Sequence, residues 1–332
     1  MIDVPISVLE LAGVRAGGTT TDAFADMLAM ADAADAHGAA RFWIAEHHNM
    51  PAVAATSPPV LAAAVAMRTD RIRIGSGGVM LPNHSPYVVA EQFAALEALA
   101  PGRIDVGLGR APGADPVTAW ALRRTQEGLG PEEFPQHVDL VRSWLSPRGV
   151  SVGDDGIVLA ATPAASTYPE LWLLGSSDYS ARLAGQMGIR YSYAGHFGQL
   201  DPATILDLYR SEFRPSEELA EPWAMVATSA VIGATDEEAW RLAGPAISLW
   251  MGIRQGRMEP IISPDEADRR LAGIDRVEIG GVRYVGTPEA VTIGLEELVR
   301  RCGAQELMVA TTAFDVATRI DTMTAILAAR TR

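Results

Sequence analysis

A carboxylate and two imidazoles stand together where an apolar run ends, in the stretch "FWIAEHHNMP" at positions 42–51. Successive side chains of an extended strand point to opposite faces, so Glu46 and His48 share one face and His47 takes the other. A metal site using both histidines would need the strand to break between them, and we predict no metal site. Imidazole titrates near neutral pH, so His47 is a candidate for proton transfer, with packing as the alternative role. We expect His48 to hydrogen-bond locally.

A cation follows two glycines in "GLGRAPG" at positions 107–113. The glycine spacing does not match G-x-G-x-x-G, so the stretch is a weak dinucleotide fingerprint. The Arg110 guanidinium can hold a phosphate with two hydrogen bonds, and the glycines let a flat ligand approach the backbone. An ordinary surface arginine is the alternative.

Two adjacent hydroxyls lie in "LLGSSDYSARLAGQMG" at positions 173–188, between a predicted strand and a predicted helix. Ser176 and Ser177 therefore stand where free backbone amides and the helix dipole attract an anion. Helix capping explains one of the two serines equally well.

Two adjacent glycines, Gly77 and Gly78, lie in "GSGGVMLPNH" at positions 75–84. Glycine permits the close approach of a planar ring or an unusual backbone conformation, and a tight turn is the alternative. The sequence assigns no role to His84.

Strand-like runs that alternate with alanine-rich helical stretches carry all these groups. Helical periodicity marks residues 21–38 and 85–102, where Ser85 suits the helix cap. Strands alternating with helices predict a parallel sheet, and eight such units close into an α/β fold, the (β/α)8 TIM barrel. The chemistry of such barrels lies at the C-terminal ends of the strands, so we expect the groups above to share one mouth. The predicted strands are residues 4–10, 40–46, 72–78, 103–109, 170–176, 190–195, 224–233 and 306–311.

The alternation of strands and helices is interrupted twice, at about 129–165 and 254–287. The first stretch predicts a helix and a short hairpin, and the second is polar and rich in Gly and Pro. We interpret both as insertions at the C-terminal face of one domain that spans residues 1–332, since no boundary between two domains is visible.

Composition limits the partners and the compartment. The net charge of -14 argues against nucleic acid and anionic membranes, and no run reaches the length of a membrane span. A single cysteine, Cys302, excludes an internal disulfide framework and fits a reducing compartment. The N-terminal stretch lacks the pattern of a signal peptide, so we expect a cytoplasmic protein.

Three stretches resemble the bacterial-luciferase-like flavin monooxygenase family, in particular its single-chain, alkanal-monooxygenase-like members. They are "AEHHN", residues 71–113 and the stretch "GSSDYSARLAGQMGIRYSYAGHF", and the likeness extends to "VGTPEAV" at 285–291. The resemblance implies a (β/α)8 barrel that binds FMN at its mouth, reduced and supplied by a separate flavin reductase. It implies a catalytic His47, a Glu46 that lines the flavin site, and a non-proline cis peptide at Gly77-Gly78 beneath the ring. It also implies that Arg110, Ser176 and Ser177 hold the phosphate.

The activity implied by the resemblance is transfer of one oxygen atom from dioxygen to a small apolar organic substrate. Gly109 stands where luciferase has a reactive cysteine, which excludes thiol chemistry there, and light emission is not implied. Trp250, Met251 and Trp120 are candidates to line the substrate pocket. Two alternatives stay open: a deazaflavin-dependent hydride transfer, and a non-catalytic flavin-binding partner protein. The family also suggests a homodimer that uses the helices at 58–67 and 91–100.

Overall fold

The barrel wall consists of eight parallel strands in a computed structural model that describes residues 1–111, 116–123, 132–152 and 156–330. Each strand pairs with the next along the chain, and the last pairs with the first, so the sheet closes. All eight predicted strands and the TIM barrel are confirmed. The strands are β1 (Ile6–Glu10), β2 (Arg41–Ile44), β3 (Arg73–Ser76), β4 (Ile104–Gly109), β5 (Glu170–Gly175), β6 (Arg190–Ala194), β7 (Ala224–Ile232) and β8 (Glu306–Ala310).

Helices surround this wall and connect its strands. Ser85 occupies the N-cap position of its helix as predicted, but its side chain makes no capping hydrogen bond. No helix among the described residues is both long and apolar enough to cross a membrane. The helices are α1 (Thr20–Ala36), α2 (Pro58–Ala66), α3 (Pro86–Leu99), α4 (Pro116–Arg123), α5 (Phe134–Leu145), α6 (Asp178–Met187), α7 (Pro202–Glu212), α8 (Asp236–Arg254), α9 (Pro264–Arg270), α10 (Arg276–Ile279), α11 (Pro288–Cys302) and α12 (Val316–Ala328).

The two faces of the strands form separate cores. One set of side chains fills the barrel interior, where the rings of Trp43 and Trp172 meet edge to face with centroids 5.1 Å apart. Leu9, Met225 and Met308 belong to the same interior cluster. The opposite faces pack against the helices in a larger apolar cluster. Strand alternation therefore decides which side chains can reach the mouth.

A buried ionic cluster lies at the N-terminal ends of the strands, and we call Arg41, Asp105 and Glu306 the floor cluster. Arg41 Nη1 donates to both carboxylate oxygens of Asp105 at 2.8 Å, and its Nε donates to Glu306 at 2.9 Å. Burial alone would lower the pKa of Arg41, but the surrounding carboxylates outweigh it and raise that pKa. These ion pairs join β2, β4 and β8 across the barrel.

The two predicted insertions have structure of their own. The first contains α5 and an antiparallel pair of short strands, Val150–Val152 and Ile157–Leu159, as predicted. Its residues 129–131 and 153–155 lie outside the described residues. The second contains α9 and α10 and ends in the strand Tyr284–Gly286, which pairs with the last residues of β7. The second insertion therefore lies at the C-terminal face, where Ile261 also bridges to Arg15.

Replacing Arg41 with methionine should destabilise the barrel, because Glu306 would stay buried without a cation and Asp105 would keep only Arg73, whose Nη2 lies 2.7 Å away. Breaking a buried ionic cluster from one side costs about 3–5 kcal/mol. Urea unfolding followed by circular dichroism measures the loss. Arg68→Met is the matched control, since Arg68 pairs with Asp32 at the surface and its loss should change little. Equal effects of the two substitutions would contradict the role assigned to the floor cluster.

Candidate active site at the barrel mouth

The Glu46 side chain links the segment after β2 to the segment after β3. It is fully buried, and its Oε1 lies 2.8 Å from His48 Nε2 and 2.7 Å from His84 Nε2. The Met80 N–H donates to the other carboxylate oxygen at 3.0 Å. Burial would raise the pKa of Glu46, but the two imidazoles and this amide outweigh it and lower that pKa. Glu46 is thus an ionised carboxylate with both oxygens engaged.

His47 lies between Glu46 and His48 but belongs to the other alternation set. Its backbone N–H donates to the Ala55 carbonyl at 3.0 Å. Its Nδ1 is buried and has no hydrogen-bond partner among the described residues. Burial lowers the pKa of His47 and outweighs the opposing charge of Glu46, so the imidazole is neutral at neutral pH. The predicted separation of His47 from Glu46 and His48 is confirmed by these contacts.

A second imidazole, His196, lies close enough to His47 to be influenced by it. His196 follows β6 by two residues, and its Nδ1 is also buried without a partner in the described part of the chain. Burial lowers the pKa of His196 to about 4, with smaller contributions from His47 and Arg283. His196 is not among the site residues predicted from the sequence. Its position just beyond a strand end was the available signal.

Gly77 and Gly78 lie on the inner surface of the barrel, where no side chain fits. The bond between them is a cis peptide, as the family resemblance predicted. A Cβ on Gly77 would lie 2.5 Å from Leu9 Cδ1, and one on Gly78 would lie 2.8 Å from the Gly107 carbonyl oxygen. The barrel wall is therefore tightly packed against both glycines.

Arg110 lies beside the start of α6, half-buried and not turned to bulk solvent. Its guanidinium carbon is 4.1 Å from the ring centroid of Tyr179, in the first turn of that helix. The register pairs Gly109 with Leu174, which places Arg110 next to the strand end that carries Ser176. None of the described carboxylates forms a salt bridge with it.

Ser177 occupies the N-cap position of α6, yet its hydroxyl makes no capping hydrogen bond. The capping alternative is therefore wrong for Ser177. Ser176 directly precedes it and is half-buried. The first turn also contains the acidic Asp178, so an anion bound here would need the positive charge of Arg110 as compensation. The structure brings Arg110, Ser176 and Ser177 together at one corner of the mouth.

The three side chains predicted to line the substrate pocket lie in different places. Trp120 is 61% exposed, and Trp250 packs against Gly281. Met251 packs against the core between α8 and the second insertion and also lines a cleft with Leu249 and Ile262. A second cleft lies beside the ends of β1 and β8. Its lining includes Leu11, Val53, Leu249, Ile261 and Thr312.

The family model described as luciferase-like monooxygenase matches residues 4–306. This chain belongs to the luciferase-like monooxygenase family. A member of that name from Escherichia coli strain K12 is 37% identical over 323 residues, which cover 96% of this chain and 94% of the relative. The N-acetyl-S-alkylcysteine monooxygenase of Bacillus subtilis is 31% identical over 315 residues, or 92% of this chain and 90% of the relative.

Solved structures share the whole architecture of this chain. The crystal structure of apo-MsnO8 superposes with a TM-score of 0.90 at 31% identity and covers 98% of both chains. The oxygenating constituent of 3,6-diketocamphane monooxygenase from Pseudomonas putida, in complex with FMN, has a TM-score of 0.70 at 20% identity. An F420-dependent secondary alcohol dehydrogenase has a TM-score of 0.65 at 18% identity. These last two, which cover 96–99% of each chain, share the fold alone.

Proposed function

We propose that this chain is a flavin-dependent monooxygenase that uses reduced FMN and dioxygen to oxygenate a small apolar organic substrate. The observation that carries the proposal is the corner formed by Arg110 and the start of α6. A half-buried guanidinium without a described carboxylate partner meets a helix N-terminus whose N-cap hydroxyl is uncommitted. That combination is suited to a phosphate.

The residues around this corner fit the remainder of FMN. Arg110 would hold the phosphate with Ser176, Ser177 and the first amides of α6. The backbone of Gly77 and Gly78 would support the flat ring, as the family resemblance implies. The Nδ1 atoms of His47 and His196, which no described residue engages, would then find polar groups of the cofactor or substrate within the mouth.

Reduced FMN supplies the electrons that activate dioxygen when it is bound. The protein residues hold the substrate, exclude water and move protons. A neutral His47 accepts or returns a proton at Nδ1, the atom that no described residue engages. His196 stays neutral across the physiological range and offers a second nitrogen that hydrogen-bonds without adding charge. Because His47 and His196 are both neutral, neither imidazole places a positive charge near the reacting atoms.

The family resemblance implies that Glu46 lines the flavin site, but its contacts support a positioning role instead. Both carboxylate oxygens are engaged by His48, His84 and the Met80 amide. Glu46 would therefore fix the two chain segments that contain His47 and Gly78. The contacts with the flavin ring would come from His47 and Gly78 themselves.

FMN is favoured over a deazaflavin by the relatives above 30% identity, three of which are named monooxygenases. The deazaflavin-dependent neighbour shares only the fold. A non-catalytic flavin-binding protein is the third alternative, and the intact set of His47, Arg110 and Ser176 disfavours it. The substrate would occupy the cleft beside β1 and β8, whose lining combines aliphatic side chains with the ion pair of Glu10 and Arg319.

We also propose a homodimer formed through α2 and α3. Their outer surfaces expose Val60 (65%), Met67 (70%), Val88 (47%) and Leu99 (55%), more apolar area than a solvent-facing helix pair needs. A separate flavin reductase would supply the reduced cofactor by free diffusion or transient contact. The buried, unpaired Cys302 fits the reducing cytoplasm, where such a reductase operates.

Light scattering should give a solution mass of about twice the 35.3 kDa of one chain. Val60→Asp should shift the mass toward that of one chain, because a charge would be buried at the interface. Val277→Asp is the matched control, since Val277 is equally exposed (69%) but lies on α10. A wild-type mass of one chain would refute the homodimer.

Arg110→Ala should weaken binding of reduced FMN by roughly 10- to 100-fold, as expected for loss of a charge-assisted contact. Anaerobic fluorescence titration measures the affinity. Riboflavin, which lacks the phosphate, should bind wild type and variant equally. An equal loss for both ligands would place Arg110 away from the phosphate. The same titration with a reduced deazaflavin cofactor separates the first two functional alternatives.

His47→Asn should leave the affinity for reduced FMN unchanged and lower substrate-dependent turnover about 100-fold, as expected for loss of a general acid–base group. An N-acetyl-S-alkylcysteine and a long-chain aldehyde serve as probe substrates for measured product formation. Because the pKa of His47 lies below its ordinary 6.5, wild-type kcat/KM should fall only at pH below that value. Unchanged turnover, or an acidic limb that persists in His47→Asn, would remove His47 from the mechanism.

A further inference from the structure

We propose that Glu46, His48 and His84 form a binding site for a divalent transition metal ion of the Zn²⁺ type. The site is separate from the flavin chemistry. Glu46 and His48 point to one side of the segment that follows β2, and His47 points to the other. Its role would be structural: to join the segment after β2 to the segment after β3.

The donor atoms are already gathered. One ligand atom from each of the three residues lies within 4.8 Å of the other two. His48 Nε2 and His84 Nε2 approach the same Glu46 oxygen at 2.8 and 2.7 Å. A tetrahedral Zn²⁺ holds its ligands at about 2.0–2.2 Å, so small outward shifts of the two imidazoles would admit the ion.

Two imidazoles and one carboxylate are a donor set that Zn²⁺ accepts, with a fourth position left for water. The carboxylate is held in place by a further hydrogen bond, since the Met80 N–H donates to its second oxygen at 3.0 Å. Supporting contacts of this kind orient the ligands of metal sites. The Glu46 carboxylate is thus already oriented, and His48 and His84 provide the other two ligands.

The ion has a route to the site. The side chains of His48 and His84 are 14% and 34% exposed, whereas Glu46 is fully buried. The histidines therefore lie between solvent and the carboxylate. The strongly negative chain, with a net charge of -14, also favours the approach of cations.

The prediction of no metal site considered only the adjacent pair His47 and His48. Alternation does keep those two apart, as predicted. His84, 36 residues after His48, supplies the ligand that His47 cannot. The same three side chains form a hydrogen-bonded group without an ion, so the experiment must separate a metal site from that arrangement.

The full chain, treated with a chelator and then dialysed, is titrated with Zn²⁺ by calorimetry and with Co²⁺ by visible absorption. We expect one equivalent of either ion to bind, and Co²⁺ to give the intense bands of a four-coordinate complex. Anomalous diffraction from wild-type crystals grown with Zn²⁺ should place the ion between the three side chains. This measurement needs no substituted protein.

His84→Gln and His48→Gln should each weaken Zn²⁺ binding on the order of 100-fold. Glutamine can still donate a hydrogen bond to Glu46, so the fold should persist, and circular dichroism checks it. His37→Gln is the matched control, because His37 lies exposed at the end of α1 and should not affect binding. Absence of a saturable equivalent, or binding that survives both substitutions, would overturn the proposal. FMN affinity, measured in parallel, reports on the proposed function independently.

Discussion

The buried Glu46 carboxylate is the contact on which the arrangement of the mouth depends. It accepts a backbone hydrogen bond from Met80 and contacts two imidazoles, so it joins the chain segments that follow β2 and β3. His47 lies in one of these segments, and the Gly77-Gly78 peptide lies in the other. A buried charge held by several partners has few alternative positions, because each lost contact would leave it unsatisfied. The residues beside it are therefore set in place before any ligand binds.

The barrel separates this organising group from the groups that face a ligand. The side chains of Arg41 and Trp43 on β2 point to the barrel interior. His47 has the same parity and lies on the same side of the chain, at the mouth. Glu46 and His48 belong to the other set. The floor cluster closes the opposite end of the interior with ion pairs, so polar groups accumulate at the two ends and apolar rings fill the space between them. The alternation of side-chain direction along the strands thus produces the core, the candidate site and the Glu46 contacts that hold it.

Strand identities, barrel closure and the corner at Arg110 could be predicted because each depends on short sequence patterns: apolar runs, glycines and hydroxyls at strand ends. The pairing of Glu46 with His84 could not, since it joins residues 38 positions apart through a turn whose path no local pattern specifies. His196 escaped notice for a similar reason, because its relation to His47 arises only from barrel closure. Trp120, predicted for the substrate pocket, is exposed, because an aromatic side chain between barrel strands can equally remain at the surface.

The glycine-lined wall has a consequence for protein engineering. At Gly77, Gly78 and Gly107 even one methyl group would collide with neighbouring atoms, down to 2.0 Å from the Ser76 carbonyl oxygen at Gly107. Libraries that aim to alter selectivity gain nothing from randomising these positions. Under the proposed function, diversity belongs around the cleft instead, at Val53, Ile261 and Leu249 of α8, which line it.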